Sequence, residues 1–301
     1  KDEVANEDSK VVTNLRQAGA IPIGITNTPE LNMASDCYNC LFGATNNPYD
    51  LSIIPGGSSG GEASLISSAG SIIGIGSDIG GSIRIPSYFC GIFGHKVTPG
   101  VVPNEGLFPP LKPEIATLFT AGPICRYATD LKPMLKAMAG DQIYRLPKID
   151  SIVDLSKIRI FYMLESGNPW TSPVSPETKT AISKVIAHFE QTYNITCTEV
   201  NIEKMADGCN FWASAMPYRG INLLLESIRK LFGKSSHTLA ALDFAIDQKL
   251  DSLFTIYDEL SEIKELKKQL QDYLKEDGVF LYPTFPDNDI KHDTITAFED
   301  K

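Results

Sequence analysis

The sequence predicts an α/β fold. Three observations carry that expectation: segments of helical periodicity alternate with short apolar runs, glycine-rich turns join them, and a hydrophobic content of 43% suffices for a substantial core. From Ser9 to Ala18 the apolar positions Val11, Val12, Leu15 and Ala18 keep helical spacing, Gly19 supplies a left-handed cap, and Ala20 to Ile25 reads as a short buried strand. Thr26 to Gly61, punctuated by Pro29, Pro48, Pro55 and asparagines, is loop, and a loop of that length points to function. A helix from Glu62 to Ser68 and a strand from Ile72 to Gly76 follow, then a helix opening near Ser82, whose Pro86 falls in the first turns where a missing N–H is tolerated.

Beyond a proline-rich loop at Pro109-Pro110 and Pro113, Ala128 to Met138 has helical spacing and stops at Gly140. Ile158 to Met163 and Cys197 to Val200 read as strands around a helix begun by Ser175-Pro176-Glu177, with Ile182, Val185, Ile186 and Phe189 on one face. From Leu239 to Leu274 apolar residues step mostly by threes and fours, which predicts a long helix packed on its own domain, with a coiled-coil partner face as the alternative; Asp277-Gly278 ends it, and Val279 to Tyr282 is the last strand. No internal repeat is visible.

Composition narrows the function. A net charge of −10, with no basic block longer than Lys267-Lys268, gives no footprint for nucleic acid. No run of about 18 apolar residues marks a membrane span, and no signal-peptide pattern opens the sequence, so the piece is expected to be soluble or to lack its anchor. Six scattered cysteines do not make a disulfide scaffold, and Cys37-Tyr38-Asn39-Cys40 has no second pair to close a zinc site; reduced thiols, no metal and no cofactor are expected. The compartment stays open, because Asn194-Ile195-Thr196 fits a glycosylation acceptor but is a common tripeptide.

Two serines carry the chemistry. Ser58 lies in Pro55-Gly56-Gly57-Ser58-Ser59-Gly60-Gly61, and Ser82 lies 24 positions on, in Gly76-Ser77-Asp78-Ile79-Gly80-Gly81-Ser82-Ile83-Arg84. One helix and one strand fit in that interval and return the chain to its start, so both hydroxyls can meet. A serine hydroxyl needs a base to become a nucleophile, and the oxyanion it generates needs donors already aimed at it. Ile79, Gly80, Gly81 and Ser82 can present successive N–H groups, and a helix opening at Ser82 would add its positive end. Ser58 is suited to relay the proton, since a hydroxyl both donates and accepts. Phosphate-binding loops do not fit: there is no GxxxxGK[ST], and Ile79 stands where GxGxxG needs glycine.

These two glycine-rich segments resemble the amidase signature, and the wider sequence resembles fatty-acid amide hydrolases, most closely of the second type. Supporting stretches are Ala18 to Asn27, Phe42-Gly43 with Asn46 to Asp50, Cys90 to Lys96, Gly122 to Tyr127 and Asp277 to Pro283. The resemblance implies a mixed twisted sheet flanked by helices on both faces. It also implies a Ser-Ser-Lys mechanism in which Ser82 attacks the amide, Ser58 passes the proton on through a cis peptide, and a neutral lysine is the final base. It places the oxyanion hole at Ile79, Gly80, Gly81 and Ser82, structural support at Ser59, Asp78 and Arg84, and the acyl channel beside Asn32 and Met33. A small-molecule lipid amide is the implied substrate; association of a longer parent with a membrane, and a homodimer, are left open.

The family's lysine lies well before the first helix, and neither Lys1 nor Lys10 fits it. The sequence is therefore expected to be one incomplete domain, truncated at both ends, with a catalytic-loop half over 1–140 and over 141–301 a helix-rich half, partly lid or sheet-completing. On this expectation the piece alone is nearly inactive and poorly soluble. Three other readings compete. In an α/β-hydrolase, Gly57-Ser58-Ser59-Gly60-Gly61 would make Ser59 the nucleophile, with His95, His188, His237 or His292 as base. The others are the amidase component of a tRNA-dependent amidotransferase and a pseudoenzyme that holds an acyl ligand without cleaving it.

Overall fold

The computed structural model describes residues 4–32, 34–107, 116–169, 171–208, 210–211, 229 and 259–292. Among them, those within Lys1–Ile149, Tyr218–Asp247 and Asp289–Lys301 form one compact unit, and those within Asp150–Pro217 and Gln248–Asn288 form another. The expected mixed α/β class is observed. Apart from a two-stranded antiparallel hairpin, the described strands form one antiparallel and one parallel sheet of three strands each.

In the first unit, α1 (Lys10–Gln17) buries Val11 and Leu15, as its spacing predicts. A two-stranded hairpin, β1 (Tyr38–Asn39) with β2 (Gly43–Ala44), interrupts the long loop. Then come α2 (Gly60–Ser67), β3 (Ile73–Asp78), α3 (Arg84–Phe89), β4 (Phe93–Gly94), β5 (Thr120–Cys125) and α4 (Leu131–Ala139). β5 is the centre of the antiparallel sheet, pairing from Ile73↔Cys125 to Asp78↔Thr120 with β3 and at Phe93↔Cys125 and Gly94↔Ile124 with β4. All six of its residues are buried, which suits a strand covered on both edges and both faces. One core joins α1, α4 and β5 through Val11, Leu15, Ala121, Cys125, Met134 and Met138.

A second, smaller cluster holds the functional loops in place. Ile66 of α2, Ile83 just before α3, and Ile124 of β5 are each 0% exposed and pack together. β3 alternates with period two, so Gly74, Gly76 and Asp78 share its buried face. A Cβ on Gly76 would stand 2.7 Å from Ile124 Cδ1, 2.8 Å from Ile83 Cγ1 and 3.0 Å from Ser59 Oγ. The missing side chain is what lets both loops close onto the strand.

The second unit is a parallel sheet in the order β7–β6–β8, made of β6 (Arg159–Tyr162), β7 (Cys197–Glu199) and β8 (Gly278–Leu281). Parallel neighbours need a long crossover, and α5 (Pro176–Tyr193) supplies it between β6 and β7. Ser175 Oγ accepts the Thr178 N–H at 3.3 Å, proline takes the first turn, and Asn194 ends the helix in the left-handed region. α6 (Glu259–Leu274) precedes β8. The part of the long helix expected over 239–258 lies outside the described residues, as do Pro109, Pro110 and Pro113.

Two local expectations change. Ala20 to Ile25 forms no strand, and Ile21, Ile23 and Ile25 are 84%, 69% and 103% exposed. An apolar run becomes a buried strand only where a neighbour completes its ladder, and among the described residues none pairs with it. The helix expected from Ser82 begins at Arg84: the Gly81 carbonyl accepts Ile85 N–H at 2.7 Å, but Pro86 has no N–H to give the Ser82 carbonyl, so the ladder becomes continuous only from Ile83 onward.

Ile124→Ala tests the clamp formed by the second cluster. The loss of a buried isoleucine side chain that cannot collapse onto its neighbours is expected to cost about 2–5 kcal/mol. Denaturant unfolding reads it as a lower midpoint at unchanged slope; a midpoint within error of the parent would show that Ile124 does not carry this packing.

Candidate active site

The loop before α2 and the turn after β3 meet at the backbone. Ser59 N–H donates to the Ser82 carbonyl at 3.1 Å, and Ser77 N–H donates to Ser59 Oγ at 3.3 Å. Ser58, joined to Ser59 and 2% exposed, therefore lies beside the segment that carries Ser82, which is only half-buried. The Gly57–Ser58 peptide is cis. Ser59, 6% exposed, has its hydroxyl turned into β3 rather than toward solvent.

Asp78 organises the turn. Its carboxylate is 0% exposed and is bound from several sides: Oδ1 accepts Gly81 N–H and Arg84 Nη2, each at 2.9 Å, and Oδ2 accepts Arg84 Nε at 2.9 Å and Ile83 N–H at 3.2 Å. Gly81 adopts φ +138°, a conformation that an L side chain resists, so glycine is needed for its N–H to reach back. Burial pushes the Asp78 carboxyl up, but the hydrogen bonds and charge of Arg84, the charge of Lys96 and the Ile83 N–H outweigh it and hold the pKa at about 2. The pair is buried at its Asp78 end, while the Arg84 side chain is 45% exposed.

Of the four N–H groups expected to form an oxyanion hole, that of Gly81 is already spent on Asp78. Those of Ile79, Gly80 and Ser82 make no hydrogen bond among the described residues. Among the described residues, three of the four N–H groups expected there are thus unspent. The positive end of α3 does not face that point, since Asp78 covers it.

Ser58 also lines a cavity of about 150 Å³, together with Thr26, Thr28, Asn32, Glu62 and Ser77 among others. Thr26 Oγ1 donates to Glu62 Oε2 at 2.7 Å, and burial pushes the Glu62 carboxyl up. Asn32 reaches this cavity in a left-handed turn at φ 57°; Met33 lies outside the described residues. Asn27, absent from the sequence-based site, ties the loops together: its carbonyl accepts Gly61 N–H at 3.2 Å, and its amide donates to Gly43 O and Thr45 Oγ1. Lys96 was missed as well, and its ammonium lies 3.1 Å from Asp78 Oδ1. No spacing rule marks either residue; each acts through contacts remote in sequence. The free thiols of Cys90 and Cys125 are buried, and burial pushes both up to about 12.

The amidase family model matches residues 1–297. Human fatty-acid amide hydrolase 2 is 40% identical over 314 residues, covering 97% of this chain and 59% of that protein. The chain thus spans little more than half the length of that relative. A component of the glutamyl-tRNA(Gln) amidotransferase of Chromohalobacter salexigens is 35% identical over 193 residues, covering 62% of this chain and 39% of that protein. A solved amidase shares the fold at TM-score 0.75 and 22% identity, over 96% of this chain and 63% of that one.

Asp78 gives the site a measurable acid limit. Its depressed pKa contributes stability that is fully present above the ordinary carboxylate value of about 4 and is lost as pH falls through about 2, a contribution of roughly 2 kcal/mol. Asp36 and Glu62, pushed up by burial, act in the opposite sense, so the effect is read as a difference. Unfolding measured from pH 5 to pH 2 should fall more steeply for the parent than for Asp78→Asn; parallel profiles would show that Asp78 is not held ionised.

Proposed function

The chain belongs to the amidase signature family, and from that premise we propose that it carries the nucleophile of an amidase that hydrolyses fatty-acid amides through an acyl-enzyme intermediate. Ser82 Oγ attacks the amide carbonyl and its proton passes by way of Ser58 to a base, which the family resemblance makes a lysine. The leaving amine takes a proton back along the same route, and water then releases the fatty acid. Ile79, Gly80 and Ser82 N–H groups receive the oxyanion, with Gly81 serving to fix the turn. Ser59, Asp78 and Arg84 brace the loops, and Asn32 and Met33 border the acyl channel.

The observation that carries this reading is the Ser59 N–H to Ser82 carbonyl bond, which joins the two serine loops beside three unspent N–H donors. A buried Ser59 hydroxyl engaged with Ser77 weighs against the α/β-hydrolase assignment of Ser59 as nucleophile. The choice of a fatty-acid amide over the amidotransferase reaction rests on a match over 97% of the chain against one over 62%. Among the described residues no helix is long and apolar enough to cross a membrane.

A fluorophosphonate probe with an alkyl chain tests the roles in the full-length protein. Ser82→Ala should abolish labelling, while Ser58→Ala should slow it by about 10²–10⁴, the usual value of assisted proton transfer. Ser59→Ala should slow labelling without abolishing it. Labelling that survives Ser82→Ala and disappears in Ser59→Ala would overturn the assignment.

A further inference from the structure

Lys96 follows β4, and its side chain crosses to the end of β3. Its ammonium donates to the Asp78 carbonyl at 2.8 Å, to Asp78 Oδ1 at 3.1 Å and to the Leu118 carbonyl at 2.7 Å. An ammonium has three N–H groups, and all three are used. Burial lowers the Lys96 pKa, the charge and hydrogen bond of Asp78 pull it back up, and Arg84 adds to the lowering.

Neutralising Asp78 does not require Lys96, because the Arg84 guanidinium already grips both carboxylate oxygens. What Lys96 adds is a hold on the Asp78 main-chain carbonyl. That carbonyl shares a peptide plane with the N–H of Ile79, and in a planar trans peptide the two point in opposite directions. The one cis bond among the described residues is Gly57–Ser58, so the Asp78–Ile79 peptide is trans. Anchoring the carbonyl from behind aims the Ile79 N–H away from Lys96, and a positive charge at the oxygen end polarises the peptide and strengthens the donor at the other. The bond to Leu118, in the turn just before β5, braces the clamp from a neighbouring segment.

We infer that Lys96 is a positioning residue of the oxyanion hole, acting through the Asp78–Ile79 peptide; the inference rests on the amidase reading above. A long-chain alkyl boronic acid reads it. Its boron takes the Ser82 hydroxyl oxygen, a B–O bond forms, the hydroxyl proton is released, and the resulting tetrahedral boronate carries negative charge where the oxyanion would sit. The comparison ligand is the uncharged fatty amide of equal length.

In the full-length protein Lys96→Met should weaken boronate binding about 10- to 100-fold, less than the about 10²–10³ for removing a donor outright, and leave amide binding within about twofold. Lys96→Arg keeps the cation but not the three-way contact; it should fall between, and it carries the test if Lys96→Met does not fold. Equal weakening of both ligands, or of neither, overturns the inference. Ser82→Ala separates this failure from that of the amidase reading: it should lose the preference for boronate over amide, and retention of that preference sinks the reading itself.

Discussion

A carboxylate with no access to water organises the candidate site. Asp78 would protonate or unfold the turn if its charge were left unpaired, since burying an ion is far more costly than burying a neutral group. Instead it collects N–H groups from Gly81, Ile83 and Arg84 and the side chains of Arg84 and Lys96. Because those donors lie on the residues around Ser82, satisfying Asp78 is the same act as shaping the turn. Among the described residues, the N–H groups of Ile79, Gly80 and Ser82, which it does not take, have no partner.

Packing brings the other serine to that turn. Ile66, Ile83 and Ile124 fix α2 and the start of α3 against β5, and the glycine face of β3 leaves room for Ser59 and Glu62 to lie directly on the strand. The Ser59 to Ser82 backbone bond then joins the two loops. Hydrophobic packing sets the position, and hydrogen bonds set the orientation. Neither alone would hold two hydroxyl-bearing loops in one place.

Periodicity located α1, α2, β3, α4, β6, α5, β7 and β8 close to where they stand, because each has its own alternation and its own stop signal. It failed at Ile21, Ile23 and Ile25, whose pattern is that of a strand but which lack a neighbour to pair with among the described residues. It also put the start of α3 too early, because Pro86 has no N–H to give the Ser82 carbonyl, a break in the ladder that apolar spacing does not register.

The sequence by itself determined the family, the α/β class and the two serine loops, since glycine spacing and local propensity are properties of neighbouring residues. Only the tertiary structure decided which N–H groups stay unspent among the described residues, that Ser59 faces β3, and that Asn27 and Lys96 contact the segments around the two serines. Those outcomes depend on contacts such as Lys96 to Leu118 and Asn27 to Gly61, made between residues far apart along the chain. Which donor meets which acceptor across such distances is settled by packing, and no local pattern records it.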